Sequence, residues 1–163
     1  MIKYLIFGVS ISFISWMVGM ILNSILLKTG YYRKLSNLNF VTNKKLNKHI
    51  GIEQFKWLVK NTFFKFYNQK IKLKGKKLEL SVIRKEMTIA EISHLIGFIF
   101  VTIIALYKSI SQNYLFGIII MIANVLMNLY PSLLQQENKR RIDMLIKRQK
   151  NMITKPNISA ISY

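Results

Sequence analysis

Apolar positions along this chain collect into three long runs, and most charged positions fall in the intervals between them. The first run, Tyr4 to Leu27, holds 24 residues without a charge. At about 1.5 Å rise per residue, a helix of that length exceeds a hydrocarbon core of roughly 30 Å. The rival reading is a signal peptide with Lys3 as its basic start. Against it, the run is longer than the ~7–15 residues of such an apolar core, and no A-x-A cleavage site follows. "LKTGYYRK" reads instead as a helix end with an aromatic and basic interfacial flank. The pattern predicts a transmembrane helix at 4–27.

The third run is the clearest. No charge occurs from Ser109 to Gln136, and Tyr114 to Leu134 can span. Asn124 and Asn128 lie within it at i, i+4, on one helical face. Amides in lipid seek partners, so that face is expected to pack against protein. Pro131 either kinks the helix or marks where it leaves the bilayer. The second run, Leu95 to Tyr107, has only 13 uncharged residues, about 20 Å as a helix. It spans only if it begins near Ile89, giving a helix at 89–107 that draws Glu91 and His94 into the interface. The short link "KSISQN" makes the last two runs a helical hairpin, spanning or re-entrant.

Between the first and second runs, "IEQFKWLVKNTFFKFYNQK" places Ile52, Phe55, Leu58, Thr62, Phe63 and Phe66 on one helical stripe, widened by Trp57 and Phe64. Lys56, Lys60 and Lys70 lie off it. This is a basic amphipathic helix suited to the headgroup plane; a helix of a small soluble core is the alternative. The following "LKGKKLELSVIRKEM" reads as a turn with a short strand or helix. "NMITKPNISAISY" reads as a tail.

Composition sharpens the picture. In 163 residues there are 25 Lys+Arg against 6 Asp+Glu, a net charge of +19, yet 52% of the residues are hydrophobic and the mean hydropathy is +0.26. The cations and aromatics would suit nucleic acid, but they coincide with apolar runs, which points to membrane lipid as the partner. The absence of Cys excludes disulfides, thiolate metal sites and cysteine nucleophiles. From Lys28 up to Glu91 there are 16 cationic residues and after Gln135 there are 7, whereas the link holds only Lys108. The positive-inside rule therefore makes 28–88 and the tail 135–163 cytoplasmic, with the N-terminus and link outside; Lys3 on the outside is a minor conflict. The expected fold is a single all-α, multi-pass domain of the cell membrane, with three transmembrane helices and one interfacial helix. Its oligomeric state is not legible.

Candidate chemistry is confined to a few polar residues. Glu91 and His94, at i and i+3, share a helix face. A carboxylate beside an imidazole orients it and raises its basicity, which makes a usable general-base pair. The bland alternative is an interfacial cap, with Glu91 near a positive helix N-terminus. Beyond the third run, "YPSLLQQENKRRIDMLIKR" places Gln135, Asn138 and Arg141 at i, i+3, i+6. In an antiparallel hairpin these adjoin Glu91 and His94, so acid, base, amides and guanidinium could converge at one depth. Lys139, Arg140 and Arg141 are otherwise a stop-transfer cluster on phospholipid phosphates. A metal site is not expected: Glu-x-x-His is half of a di-iron ligand set, the second copy is missing, and His49 is the one other His. There is no Ser nucleophile elbow, phosphate loop or repeat.

"AEISHLIGF" followed by "NLYPSLLQQENKRRI" resembles the glycosyl-4,4'-diaponeurosporenoate acyltransferase family of carotenoid pathways. That family has a Glu-x-x-His ahead of an apolar run, then an Asn, a nearby Pro and a Gln-Arg-Tyr-Asn-Arg-x-Arg-like stretch. Glu91, His94, Asn128, Gln135, Asn138 and Arg141 fit it. Lys139 stands where the pattern favours Arg, Gln136 and Glu137 replace Arg-Tyr, and Pro131 is displaced by one position. "IEQFKWLVKN" is loosely similar to the family's amphipathic segment, so the likeness runs from about Lys48 to Arg148. The resemblance implies an enzyme that esterifies a sugar hydroxyl of a glycosylated carotenoid or related glycolipid with a fatty acyl group. No cofactor is implied beyond an acyl donor, acyl-CoA or acyl carrier protein. On that reading His94 takes the hydroxyl proton and Glu91 orients it. Asn128, Gln135, Asn138 and Arg141 would bind the substrate. A non-catalytic membrane partner or assembly protein is the alternative from another class, and the spans and charges suit it equally.

Overall fold

A computed structural model describes residues 1–40, 49–61 and 80–154, and among these there are helices and no strand. Helix α1 covers Ile2–Leu26 and is followed by the single turn α2, Tyr32–Leu35; α3 is Ile52–Asn61 and α4 is Leu80–Ser111. After a two-residue link, α5 runs Tyr114–Asn124. It passes without a break through a π-helical turn, Val125–Leu129, into α6, Tyr130–Thr154. Three of these helical stretches, Ile2–Leu26, Leu80–Ser111 and Tyr114–Met152, are long and apolar enough to cross a membrane. The chain is an all-α membrane protein.

The bundle is built by small residues. The buried positions of α1 are Gly8, Ser12, Ser15, Gly19 and Asn23, one every three or four residues, while Leu5, Ile6, Phe13, Met17 and Ile21 face outward. This inverts the pattern of a soluble protein. In lipid, apolar burial gives no net drive, and helices associate where small residues let backbones approach. At Gly19 an added Cβ would lie 2.2 Å from the Ser93 carbonyl oxygen of α4, so only glycine permits this crossing. Asn23 locks it by donating to the Ile89 carbonyl at 2.9 Å and to Ser93 Oγ at 3.0 Å.

The N-terminus of α1 and the α4–α5 link lie at the same end of the bundle. There Val101, Ala105, Phe116 and Ile120 form a buried apolar cluster, with Tyr4 stacked on Phe116 at 4.2 Å. The Lys108 ammonium sits 5.6 Å from the Phe7 ring centre and 5.8 Å from that of Phe116. Asn113 caps α5 by accepting from the Leu115 N–H. The opposite end holds α2, α3, the start of α4 and the whole cationic extension of α6.

Two helices are longer than their apolar runs. The expected span 89–107 begins nine residues earlier, at Leu80, and the third helix continues from the expected end at 134 to Thr154. Hydropathy marks where lipid contact stops, whereas these helices continue because they pack on each other. Ile83 and Ile142 are buried, and Arg84 pairs with Asp143 through Nε–Oδ1 at 2.5 Å and Nη2–Oδ2 at 3.3 Å. The "LSVIRKEM" part of the undecided stretch is therefore helix.

Helix α3 realises half of the expected amphipathic stripe. Ile52 is buried with Leu133, Phe55 meets the Tyr130 ring at 5.0 Å, and Lys56 lies 3.7 Å from Glu137, while Trp57 stays 66% exposed. Burial pulls the Lys56 ammonium below its ordinary pKa, with the Glu137 charge opposing. Thr62, Phe63, Phe64, Phe66 and Lys70 lie outside the described residues, as does the tail from Lys155 onward.

Candidate functional site

Where α1, α4 and the π turn meet, the interior is polar. Asn124 donates to the Phe98 carbonyl at 3.0 Å and to Thr102 Oγ1 at 3.2 Å; Asn128 donates to Asn124 Oδ1 and to Ser15 Oγ, both at 2.9 Å. The amides expected to seek partners have found them on two other helices. Gly97 makes room: a Cβ there would lie 3.0 Å from Asn128 Oδ1 and 3.1 Å from Ser15 Oγ. Pro131 explains the π turn beside it. Lacking an N–H, it leaves the carbonyl four residues back, Met127, without its helical donor. The Trp16 indole N–H donates to that carbonyl at 3.2 Å, and Tyr130 N–H reaches five residues back to Val125. Helix-breaking residues persist in membranes when a neighbour satisfies the freed group in this way.

His94 lies in this layer, its ring edge-on to Trp16 at 5.9 Å and its side chain beside Asn128. One turn away, Glu91 is fully buried and binds the Lys139 ammonium, Oε2 to Nζ at 2.5 Å. Lys139 is 3% exposed and also donates to the Ser36 carbonyl at 2.8 Å. The hydrogen bond expected between Glu91 and His94 is not made: Glu91 Oε1 and His94 Nδ1 are both buried without a partner. They share a face, as the spacing requires, but the ammonium takes the carboxylate.

The residues of α6 that face this interior are Ser132, Gln136 and Lys139. Gln135 and Asn138, expected there, are half-buried one position away, and exposed Arg141 pairs with Glu137. The cause is the π turn. At about 100° per residue, an unbroken α-helix carries the Asn124 face on to 135 and 138; the extra residue of a π turn moves it to 136 and 139. A proline inside an apolar run was the signal for such a shift. A second signal was a lone acid in lipid, which needs a cation nearby.

Above this layer the segment after α2 crosses the α4–α6 seam and is held at four points. Lys139 donates to the Ser36 carbonyl, Arg84 to Asn37 Oδ1 at 3.2 Å and Arg140 to Asn39 Oδ1 at 3.1 Å, while Gln136 Oε1 accepts from the Phe40 N–H at 3.0 Å. Tyr32 lies under it. Burial raises the Tyr32 phenol above its ordinary pKa; Asn23 opposes this and the Glu91 charge adds to it.

Among the described residues, seven buried side-chain atoms lack a hydrogen-bond partner: Asn23 Oδ1, Tyr32 OH, Glu91 Oε1, His94 Nδ1, Asn128 Oδ1, Ser132 Oγ and Gln136 Nε2. They belong to the helix faces that meet around Glu91. Each such atom is costly to bury. Six of the seven lie on side chains that face one another, Tyr32 with Asn23, Glu91 with Gln136 and His94 with Asn128, so the site is a set of mixed donors and acceptors. An open apolar groove of about 460 Å³ along α4 and α5, walled by Leu106, Ile118, Ile122 and Leu126, is lined by none of these residues. No group of three or more His, Asp or Glu among the described residues could hold a metal ion.

Among curated proteins and among solved structures, none matches the chain. A family model does match, over residues 28–148, an interval that begins where α1 ends and contains Glu91, His94, Asn128, Gln136 and Lys139. The chain belongs to the glycosyl-4,4'-diaponeurosporenoate acyltransferase family.

Proposed function

We propose that this protein is a membrane acyltransferase that esterifies a sugar hydroxyl of an amphiphilic glycolipid, a glycosylated carotenoid being the acceptor the family name suggests. The observation that carries this reading is the set of buried donors and acceptors without full partners around Glu91 and His94. Sugar hydroxyls donate and accept, and a glycolipid presents them at the depth where apolar spans give way to polar helix ends. The acyl donor, acyl-CoA or acyl carrier protein, would arrive at the cationic end, which the positive-inside rule makes cytoplasmic; the N-terminus and link then lie outside the cell membrane.

In the reaction the acceptor oxygen attacks the acyl carbonyl while His94 Nδ1 takes the hydroxyl proton. The tetrahedral oxyanion accepts from the Gln136 amide, the one pure donor in the set. Collapse breaks the acyl–sulfur bond, and the thiol leaves with the proton held by His94. Glu91 Oε1 accepts from the sugar, and Asn128 contributes to the same wall. Gln135, Asn138 and Arg141, at the rim, are suited to the donor.

The test is transfer of labelled acyl groups to a long-chain alkyl glucoside by the full chain in nanodiscs, normalised to folded protein. His94→Ala should lose the general-base contribution of roughly 10²–10⁴ in rate, and Glu91→Gln should lose less. Full specific activity in His94→Ala removes His94 from the chemistry. No transfer by the native chain from either donor, with unchanged lipids in cells lacking it, leaves a non-catalytic membrane partner.

A further inference from the structure

Lys139 is the one cation of the α6 cluster that is almost fully buried, and it does two things at once. Its ammonium binds Glu91 Oε2 on α4 and the Ser36 carbonyl of the overlying segment. Neither contact is with lipid phosphate, so a stop-transfer role does not account for it. Lys139 occupies only one carboxylate oxygen; the other, Oε1, is buried short of a full hydrogen bond and faces the Gln136 side chain. Gln136, one turn before Lys139, anchors the same segment through the Phe40 N–H.

We propose that Lys139 is a positioning residue for acceptor binding: it fixes one oxygen of Glu91 and the Ser36–Phe40 segment together, so that the second oxygen is presented to a sugar hydroxyl. This rests on the reading of the site as a sugar pocket, but not on acyl transfer taking place there. Breaking a buried pair by losing one partner destabilises the fold, whereas replacing both by uncharged groups of similar shape is often neutral. The double variant Glu91→Gln/Lys139→Met therefore reports on fold stability, whereas Lys139→Met, which keeps the sugar-contacting Glu91, reports on positioning.

The experiment uses the full chain in nanodiscs with Trp57→Phe as background, leaving Trp16, which touches His94, as the sole tryptophan, excited selectively over the tyrosines. Three quantities are measured: thermal midpoint, binding of a long-chain alkyl glucoside by Trp16 emission, and acyl transfer to it from acyl-CoA. Lys139→Met alone should lower the midpoint and, measured below it, bind the glucoside at least tenfold more weakly although Glu91 is intact. The double variant should recover the midpoint but bind the glucoside at least tenfold more weakly, and Lys139→Arg should retain most of the binding. Native-like binding in folded Lys139→Met overturns the proposal, as does a native chain that binds no glucoside. A native chain that binds glucoside in a Lys139-dependent way but transfers no acyl group supports the positioning role and removes the transferase reading.

Discussion

Trp16 and Pro131 should be energetically coupled, because the indole replaces the hydrogen bond that the proline cannot make. In Trp16→Phe the Met127 carbonyl loses its indole donor, the contact at 3.2 Å. Side-chain hydrogen bonds inside membrane proteins average about 0.6 kcal/mol, with a maximum near 1.7. An unsatisfied buried group costs about 1–3 kcal/mol. A value of about 1–2 kcal/mol is therefore expected for this bond, on top of the packing lost against Phe13 and His94, whose rings lie 4.8 Å and 5.9 Å away. Pro131→Ala returns a backbone N–H to position 131, four residues after Met127, where it can donate to that carbonyl with the π turn and the register of α6 unchanged. In that background Trp16→Phe should cost only the packing part. The double-mutant cycle removes the packing part, which is common to both backgrounds, and leaves an interaction of about 1–2 kcal/mol. The assay is reversible unfolding of the full chain in mixed micelles, followed by helical circular dichroism. Equal losses from Trp16→Phe with and without Pro131 would refute the exchange of donors.

Gly19→Ala should destabilise the fold by about 1–3 kcal/mol, because the new methyl meets the Ser93 backbone oxygen at 2.2 Å and α1 must move off α4. Gly30→Ala, with no atom within 4 Å of its added carbon, should stay within about 0.5 kcal/mol in the same unfolding assay. For topology, an impermeant thiol reagent should label Ser111→Cys in intact cells and Lys147→Cys only after permeabilisation; the reverse pattern inverts the assignment. A peptide of Ile52 to Lys70 should gain helicity on anionic vesicles and lose part of its binding in high salt, at about 1 kcal/mol per surface-proximal lysine. Vesicles that induce no helicity would remove the headgroup-plane role of α3.

Much of the architecture was legible because the bilayer simplifies the code. Three apolar runs, a short polar link and the asymmetry of the cations lead to three long helices without any appeal to side-chain packing. The inward face of the third helix was legible at Asn124 and Asn128, since an amide in lipid has few alternatives to a protein partner. It was not legible at Gln136 and Lys139. Counting at α-helical spacing passes through Pro131 as if nothing had happened there, and one extra residue in a turn is enough to exchange 135 and 138 for 136 and 139. Helix ends were invisible for another reason: hydropathy does not register the Arg84–Asp143 contact that prolongs α4 and α6 beyond the apolar core.

The Glu91–His94 spacing shows where sequence reasoning stops. A separation of three residues establishes that two side chains share a face, but not which partner each will take. A buried carboxylate is best served by a charge-assisted bond to a cation, and a neutral imidazole competes poorly with an ammonium for the same oxygen. Only the tertiary fold decides whether an ammonium is in reach, and here Lys139 is brought there by the shifted register of α6. The consequence for mechanism is specific. If Lys139 already satisfies one oxygen, Glu91 has no need of His94 as a partner. Oε1 then faces Gln136 and Nδ1 faces Asn128, each short of a full hydrogen bond. On the proposed acyltransferase reading, a sugar would exchange these amide contacts for its own hydroxyls, one held at Oε1 and one giving its proton to Nδ1, which a carboxylate and imidazole bonded to each other would not offer together.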